Sequence, residues 1–446
     1  MLATQMKATL QRELLARLAQ ARTETDKLFE LVRPDSFYER PIPERHRIVF
    51  YLGHLEAFDW NLLHKRILDY RSFNPAFDHL FAFGIDPVNG RLPSDHPTDW
   101  PSLAEVCYYK QRVREILDDG LQRALLSGPA PGDDQELVAS VLLNVSIEHR
   151  LMHAETLAYI LHQLPLERKV RGLGRPLATG VSINPGMIEI PEGSATLGLP
   201  SDEGGAFGWD NEYEAHAVPV PRFAIDRYKV TNGQYLEFMA AGGYEDQALW
   251  QEDGWKWKTE HAIDHPVFWK RVGDEWHYRS MFAELPLPHD WPVYVSFAEA
   301  SAYARWAGKA LPSEAQWHRA AFGAPQGSER LYPWGAEPPS PRRGNFDFQS
   351  WDPTPVGRFP EGRSAFGVSG LVGNGWEWTR TTFGPFPGFQ PFPFYHGYSA
   401  DFFDGKHYVL KGASPRTAAC MARRSYRNWF QPHYQYLYAG FRCVSN

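Results

Sequence analysis

Residues 140–164 read SVLLNVSIEHRLMHAETLAYILHQL. Apolar side chains recur there at three- and four-residue intervals, the period of an α-helix with one face turned to a core. His149 and His153 stand four apart in that pattern, so both imidazoles project from one face. Two imidazoles so placed can share a metal ion. A His-x-x-x-His pair on a helix is also a common core or surface pair, so a third ligand has to decide. His54 is the candidate, in HRIVFYLGHLEAFDWNLL at residues 46–63, another amphipathic helical pattern. Three neutral imidazoles from two helices would hold a divalent metal on one side and leave the other side open to ligands.

The surrounding chain gives these two helices a setting. Segments 4–31, 45–70, 102–127 and 134–163 all carry helical periodicity. Breakers separate them: RPDSFYERPIP, FGIDPVNGRLPSDHPTDWP and SGPAPGDD. Four helices with one long connection, about 71–100, predict a four-helix bundle over 1–165, and bundle cores commonly hold metals on facing helices. Residues 166–183, LERKVRGLGRPLATGVSI, read as a linker. From Asn184 the pattern changes to short alternating runs, many Gly and Pro, and brief helical stretches such as TNGQYLEFMAAG and SFAEASAYARWAG. Residues 184–446 therefore read as an α+β domain with much irregular structure.

Composition narrows the function classes. The chain has 446 residues and a formal net charge of −7 without a basic stripe, which argues against a nucleic-acid partner. No apolar run reaches eighteen residues, and MLATQMKATLQRELLARLAQ is charged and helical rather than a signal peptide. The expectation is a cytoplasmic protein with no membrane partner. Three cysteines, Cys107, Cys420 and Cys443, make no disulfide framework. Sixteen Trp, twenty-one Tyr and twenty-eight Phe, dense after residue 200, suit a pocket for a flat or cationic ligand.

A longer pattern lies in the second half. SFAEASAYARWAGKALPSEAQWHRAAF at 296–322, YPWG at 332–335, GNFD at 344–347, PVGRFPEGRSAFGVSGLVGNGWEWT at 355–379 and the terminal AGFRC follow one another in order. Together they resemble the formylglycine-generating-enzyme-like (sulfatase-modifying-factor) fold, a C-type-lectin-like α+β domain, over about 184–446. The preceding helices resemble the DinB-type bundle. The pairing is similar to the non-haem iron hercynine synthases, which comprise the ergothioneine-forming sulfoxide synthases and selenoneine synthase.

That resemblance implies an iron(II) enzyme using O2 as co-substrate to join sulfur or selenium to imidazole C2 of hercynine, the betaine of histidine. It carries the iron ligands onto His54, His149 and His153. Fe(II) suits imidazole ligands and activates O2, whereas zinc is not redox active. RRSYRNWFQPHY at 423–434 resembles the substrate stretch, which implies hercynine contacts at Asn428 and Trp429 with Phe430 near, and Tyr434 in the donor pocket. A side-chain amide suits a carboxylate and an aromatic face a quaternary ammonium. Trp376, Trp378 and Tyr426 read as fold core.

Several positions depart from the pattern. The usual His-Glu-x-Gln-His helix is His149-Arg150-Leu151-Met152-His153 here, which puts Met152 at the substrate-positioning Gln. The tyrosine of the PYPGF motif is Phe386 in PFPGF, which cannot donate a proton. Tyr395 and Tyr398 are the nearest replacements as catalytic proton donors. In place of an acidic and arginine cluster stands Gln431-Pro432-His433-Tyr434-Gln435-Tyr436, neutral and rich in hydroxyl and amide groups. Arg91, Arg423 and Arg424 are the other arginines available to clamp a carboxylate. The neutral lining favours a selenosugar donor, 1-seleno-glucose, and hence a selenoneine synthase. The alternative is an ergothioneine-type sulfoxide synthase using cysteine or γ-glutamyl-cysteine.

Overall fold

The computed structural model describes residues 2–82, 92–127, 133–170, 185–201 and 207–445. Two compact units divide the chain, Met1–Leu173 and Gly174–Asn446. Most of the expected linker, 171–183, and Arg91 lie outside the described residues.

The first unit is helical: α1 (Leu2–Phe29), α2 (Ile48–Leu63), α3 (Pro75–Leu80), α4 (Leu103–Leu121) and α5 (Asp133–Gln163). α1 packs on α5, while α2 packs on both α4 and α5. α2 is apolar nearly all round, and it is accordingly buried on nearly every side, from Ile48 through Trp60 to Leu63. Each such Leu or Ile side chain withdrawn from water contributes about 1.5–3 kcal/mol.

Two details differ from the periodicity. The helix expected over 45–70 begins at Ile48 and leaves α geometry at His64, where a π-helical turn, His64–Leu68, ends on left-handed Asp69. The long connection contains α3, started by Asn74-Pro75. The Asn74 side chain accepts the Phe77 N–H, and Pro75 sits where a missing N–H costs nothing. A six-residue helix is too short to show as periodicity.

The second unit is α+β with much loop, as expected. Its strands are β1 (Met187–Ile190), β2 (Gly193–Leu197), β3 (His216–Val220), β4 (Phe223–Asp226), β5 (Trp269–Val272), β6 (Glu275–Arg279), β7 (Glu284–Pro286), β8 (Gly375–Thr382), β9 (Tyr408–Ala413), β10 (Asn428–Phe430), β11 (Ala439–Gly440) and β12 (Val444–Ser445). Its helices are α6 (Asn232–Ala240), α7 (Glu252–Glu260), α8 (Phe297–Trp306) and α9 (Glu314–Phe322). The main sheet runs β10-β9-β8-β11, with β8 and β9 antiparallel and β11 parallel to β8. Smaller sheets are β1-β4-β12, β2-β3 and β5-β6-β7. Thr231 with Gln234, Ser296 with Glu299 and Ser313 with Gln316 form capping boxes that start α6, α8 and α9.

The GWEWT and FRC motifs meet in this core. Glu377 of β8 is fully buried and receives Arg442 through two bonds of 2.6 and 2.8 Å, Lys229 at 3.1 Å and the Trp317 indole at 3.0 Å. Burial alone would raise the Glu377 carboxyl, but Arg442 and Lys229 outweigh it and hold it low. Trp376, Trp378 and Tyr426 are buried, as expected of core residues. Gly375 has φ 113°, and a Cβ there would come within 2.6 Å of the Tyr294 ring, so only glycine opens β8.

Cys107 and Cys420 are exposed and Cys443 is buried, with no disulfide among them. Among the described residues no helix is long and apolar enough to cross a membrane.

Candidate functional site

α2 and α5 bring the three histidines together. His54 Nε2 lies 3.2 Å from His153 Nε2, which lies 3.2 Å from His149 Nε2. All three ligand atoms fall within 4.8 Å of one another. Each imidazole is almost completely buried. Burial pushes the His54 imidazole down to about 4, against a smaller upward pull from the Phe81 carbonyl. His149 and His153 are pushed well below their usual value, first by burial and then by their neighbouring histidines. Three neutral rings therefore face one another with nitrogen lone pairs converging.

The donor set fits a metal. His54 Nδ1–H donates to the Phe81 carbonyl at 2.7 Å, which leaves Nε2 as the free lone pair. Three lone pairs cannot satisfy one another by hydrogen bonding unless a ring changes tautomer. A shared divalent cation satisfies all three at once. Phe50 stacks on His54 at 4.9 Å, and Phe58 lies parallel to His149 at 3.4 Å, which walls the cluster with rings.

A buried ion network locks the same two helices. Arg150, between the two α5 histidines, is fully buried and donates to Glu56 at 3.0 Å and Asp59 at 2.6 Å on α2. It also donates to the Leu55 carbonyl at 2.9 Å. Arg114 of α4 joins Glu56 at 2.7 Å to Asp26 of α1 at 2.6 Å. Burial would raise Glu56, yet Arg150 and Arg114 hold it below the usual carboxylate range. Asp59 is raised by burial against the pull of Arg150. Such a network contributes little net stability over an apolar core, but it fixes register. Sliding α5 by one residue would part Arg150 from both carboxylates and His149 from His54.

In the second unit the other expected residues fall into two groups. β10 is the edge strand of the main sheet, paired antiparallel with β9. Trp429 stacks on Phe383 at 4.2 Å, with Tyr398 edge-on at 5.4 Å and Phe402 at 5.6 Å. Tyr398 is buried, stacks on Trp209 at 3.9 Å, and has its phenol pushed well above the usual value by burial. Tyr395 is half-buried, its ring 5.4 Å from Tyr398. Strand alternation puts Asn428 and Phe430 on the other face, where Phe430 stacks on Tyr434 at 5.3 Å. The Asn428 side-chain amide oxygen accepts the Trp429 N–H at 2.9 Å, which keeps its NH2 group as a donor.

Phe386 and the arginines have structural settings. Phe386 is buried, with the Arg427 guanidinium 4.0 Å over its ring and His216 edge-on. Arg427 also lies 4.9 Å over Phe383 and pairs with buried Glu314. Phe386, Arg427, Phe383 and Trp429 thus connect the 385–389 loop to β10. Arg423 is held by Glu212 through two bonds of 2.8 and 2.5 Å, and Arg424 pairs with Glu329 at 3.3 Å. Neither is a loose arginine awaiting a carboxylate.

Residues 176–446 match the Sulfatase-modifying factor enzyme 1-like domain family. The Hercynine oxygenase of Mycolicibacterium thermoresistibile is 37% identical over 388 residues, 83% of this chain and 80% of that protein. This chain belongs to the hercynine oxygenase family. The Hercynine oxygenase of Mycobacterium tuberculosis is 41% identical over 238 residues, 53% of this chain and 55% of that protein. The Ergothioneine biosynthesis protein 1 of Schizosaccharomyces pombe is 28% identical over 453 residues, 94% of this chain and 54% of that protein. The chain thus spans about half the length of these last two relatives.

Membership in the hercynine oxygenases bears on the expected donor. These relatives are named for hercynine oxygenation and ergothioneine biosynthesis, so the preference for a selenosugar gives way to the thiol alternative. Reading the residues also missed the Arg150 network, although it left a signal. Glu56 and Asp59 are two acids on an otherwise apolar helix, and buried carboxylates require a cation. Arg150, inside the histidine motif, was that cation.

Proposed function

We propose that this chain is an iron(II)- and O2-dependent hercynine oxygenase that joins a thiol sulfur, from cysteine or γ-glutamyl-cysteine, to imidazole C2 of hercynine. The observation that carries this reading is the convergence of three neutral imidazoles, one with its tautomer held by the Phe81 carbonyl. Membership in the hercynine oxygenase family supports the choice of substrate.

His54, His149 and His153 would hold the metal on one face and leave its other positions for reactants. Bound iron would supply O2 activation and lower the pKa of a coordinating thiol. The chain's own groups would do the rest. At the open edge of β10 the Asn428 NH2 group would donate to the hercynine carboxylate, while Trp429, on the other face and fixed against Phe383, would line the trimethylammonium side. Phe430 and Tyr434 would shape the thiol-donor side. Tyr398 would serve as a hydrogen-bond donor, since burial pushes its phenol well above the usual value and makes it a weaker acid, with half-buried Tyr395 beside it as the second candidate proton donor.

The test is anaerobic reconstitution with Fe(II), then O2 uptake with hercynine plus cysteine, γ-glutamyl-cysteine or 1-seleno-glucose in separate and competing arms, read by mass spectrometry. A hercynine–cysteine sulfoxide adduct is expected. Preferential selenium incorporation would return the selenosugar reading, and no hercynine-dependent O2 uptake in any arm would sink the proposal.

A further inference from the structure

A metal-binding imidazole keeps its direction when its second nitrogen is held. Among the described residues, His149 and His153 have no hydrogen-bond partner at Nδ1, whereas His54 Nδ1–H donates to the Phe81 carbonyl. Phe81 follows directly on α3, so the acceptor is one of the carbonyls that a helix end leaves unused. The Phe81 ring is fully buried and seated against α2 at Gly53, the residue before His54. A Cβ on Gly53 would lie 2.6 Å from three atoms of that ring. A helix interior disfavours glycine, so its place here answers a close approach.

We infer that Gly53, Phe81 and α3 form a clip that positions His54 for the metal; this rests on reading the three histidines as a metal site. Gly53 admits the ring, the seated ring sets the height of the Phe81 carbonyl, and the carbonyl orients the imidazole. α3 is itself pinned by groups that touch no histidine of the cluster. The Asp78 carboxylate accepts the Tyr109 hydroxyl of α4 at 2.6 Å and the Ser72 hydroxyl. The Asp78 backbone carbonyl accepts the Asn61 amide of α2 at 3.0 Å. His54 is therefore the reference ligand, and its direction is set from a short segment remote in sequence from the other two.

The clip makes an unusual demand on substitutions. Gly53→Ala adds one methyl group outside the metal's reach, yet it should displace Phe81 and unhook His54. Phe81→Leu in the same chain should make room again, because the acceptor is a backbone atom that the substitution keeps. Asp78→Ala should loosen the clip from its far side.

The experiment measures Co(II) affinity of the full chain by competition with a chelating dye, beside helix content and the thermal midpoint of the metal-free protein. Gly53→Ala is expected to weaken binding roughly tenfold to a hundredfold, the usual cost of losing an outer partner. Gly53→Ala/Phe81→Leu should recover most of that loss, and Asp78→Ala should weaken binding about tenfold. Unchanged affinity in folded Gly53→Ala, or a loss that Phe81→Leu fails to recover with helix content intact, overturns the clip. Should Gly53→Ala not fold, unchanged affinity in Asp78→Ala overturns it instead. Unaltered protein that binds Co(II) no better than His54→Ala overturns the metal site itself, a different result from failure of the clip.

Discussion

The helical unit and the α+β unit solve the same problem, holding polar groups inside a core, by opposite means. In the first, Arg150, Glu56, Asp59 and Arg114 tie long helices to one another, and the histidines ride on the tied helices. In the second, Glu377 gathers Arg442, Lys229 and Trp317 from separate parts of the chain and anchors loops and short strands. The helical network acts on register, so it bears directly on its histidines. The Glu377 network acts on the folding of the domain, and Trp429 is held instead by its own ring stack. A buried charge is informative about a site only when the element it fixes also carries the site.

The sharpest way to break this comparison is to remove one charge from each unit. Arg150→Met and Glu377→Gln should each destabilise the chain by about 3–5 kcal/mol in urea unfolding, since each leaves buried charge uncompensated. Only Arg150→Met should also weaken metal binding. Equal loss of metal affinity in both would show that the distinction between register and scaffold is false.

Acid separates the units next. A His54 imidazole at about 4 in the folded chain and 6.5 unfolded takes up its proton more readily when unfolded. Metal-free protein should hold full stability above pH 6.5 and lose about 3 kcal/mol through His54 as pH falls to about 4, with little further loss from that group below. Bound Co(II) should deepen the dependence, because it requires the neutral ring. Unfolding midpoints flat from pH 7 to 4 in metal-free protein would contradict the buried neutral triad.

Smaller effects sharpen the division of labour. His54→Ala should reduce metal affinity roughly a hundredfold or more, beyond the usual cost of an outer partner. Trp429→Ala should leave metal content unchanged and raise the KM for hercynine about tenfold, as loss of a cation–π face predicts. A Trp429→Ala protein that loses its metal would place the stack in the wrong role.

How much was legible in the sequence follows the same divide. The ligand helices announce themselves by period; His149 and His153 share a face because a helix turns the i and i+4 positions to one side, and His54 joins them because α2 packs on α5. α3 and the Phe81 carbonyl have no side-chain signature, since a backbone acceptor can be any residue. In the α+β unit, long motifs identify the domain, but the partners of Trp429 do not follow from spacing. Phe383 and Phe402 reach it through folded loops, and Trp209 joins by way of Tyr398 from far upstream. Phe386 illustrates the limit of comparing motifs. Its missing hydroxyl was plain in PFPGF, while its place under the Arg427 guanidinium belongs to the tertiary fold.

The distribution of thiols has a practical reading. Cys107 is exposed on α4 and Cys420 is exposed in the second unit, while burial puts Cys443 out of reach and pushes its ionisation far up. Maleimide dyes would therefore attach at one point on each unit without any engineered residue. Energy transfer between the two dyes would track the units against each other as hercynine and thiol are added, giving the wild-type chain its own optical ruler.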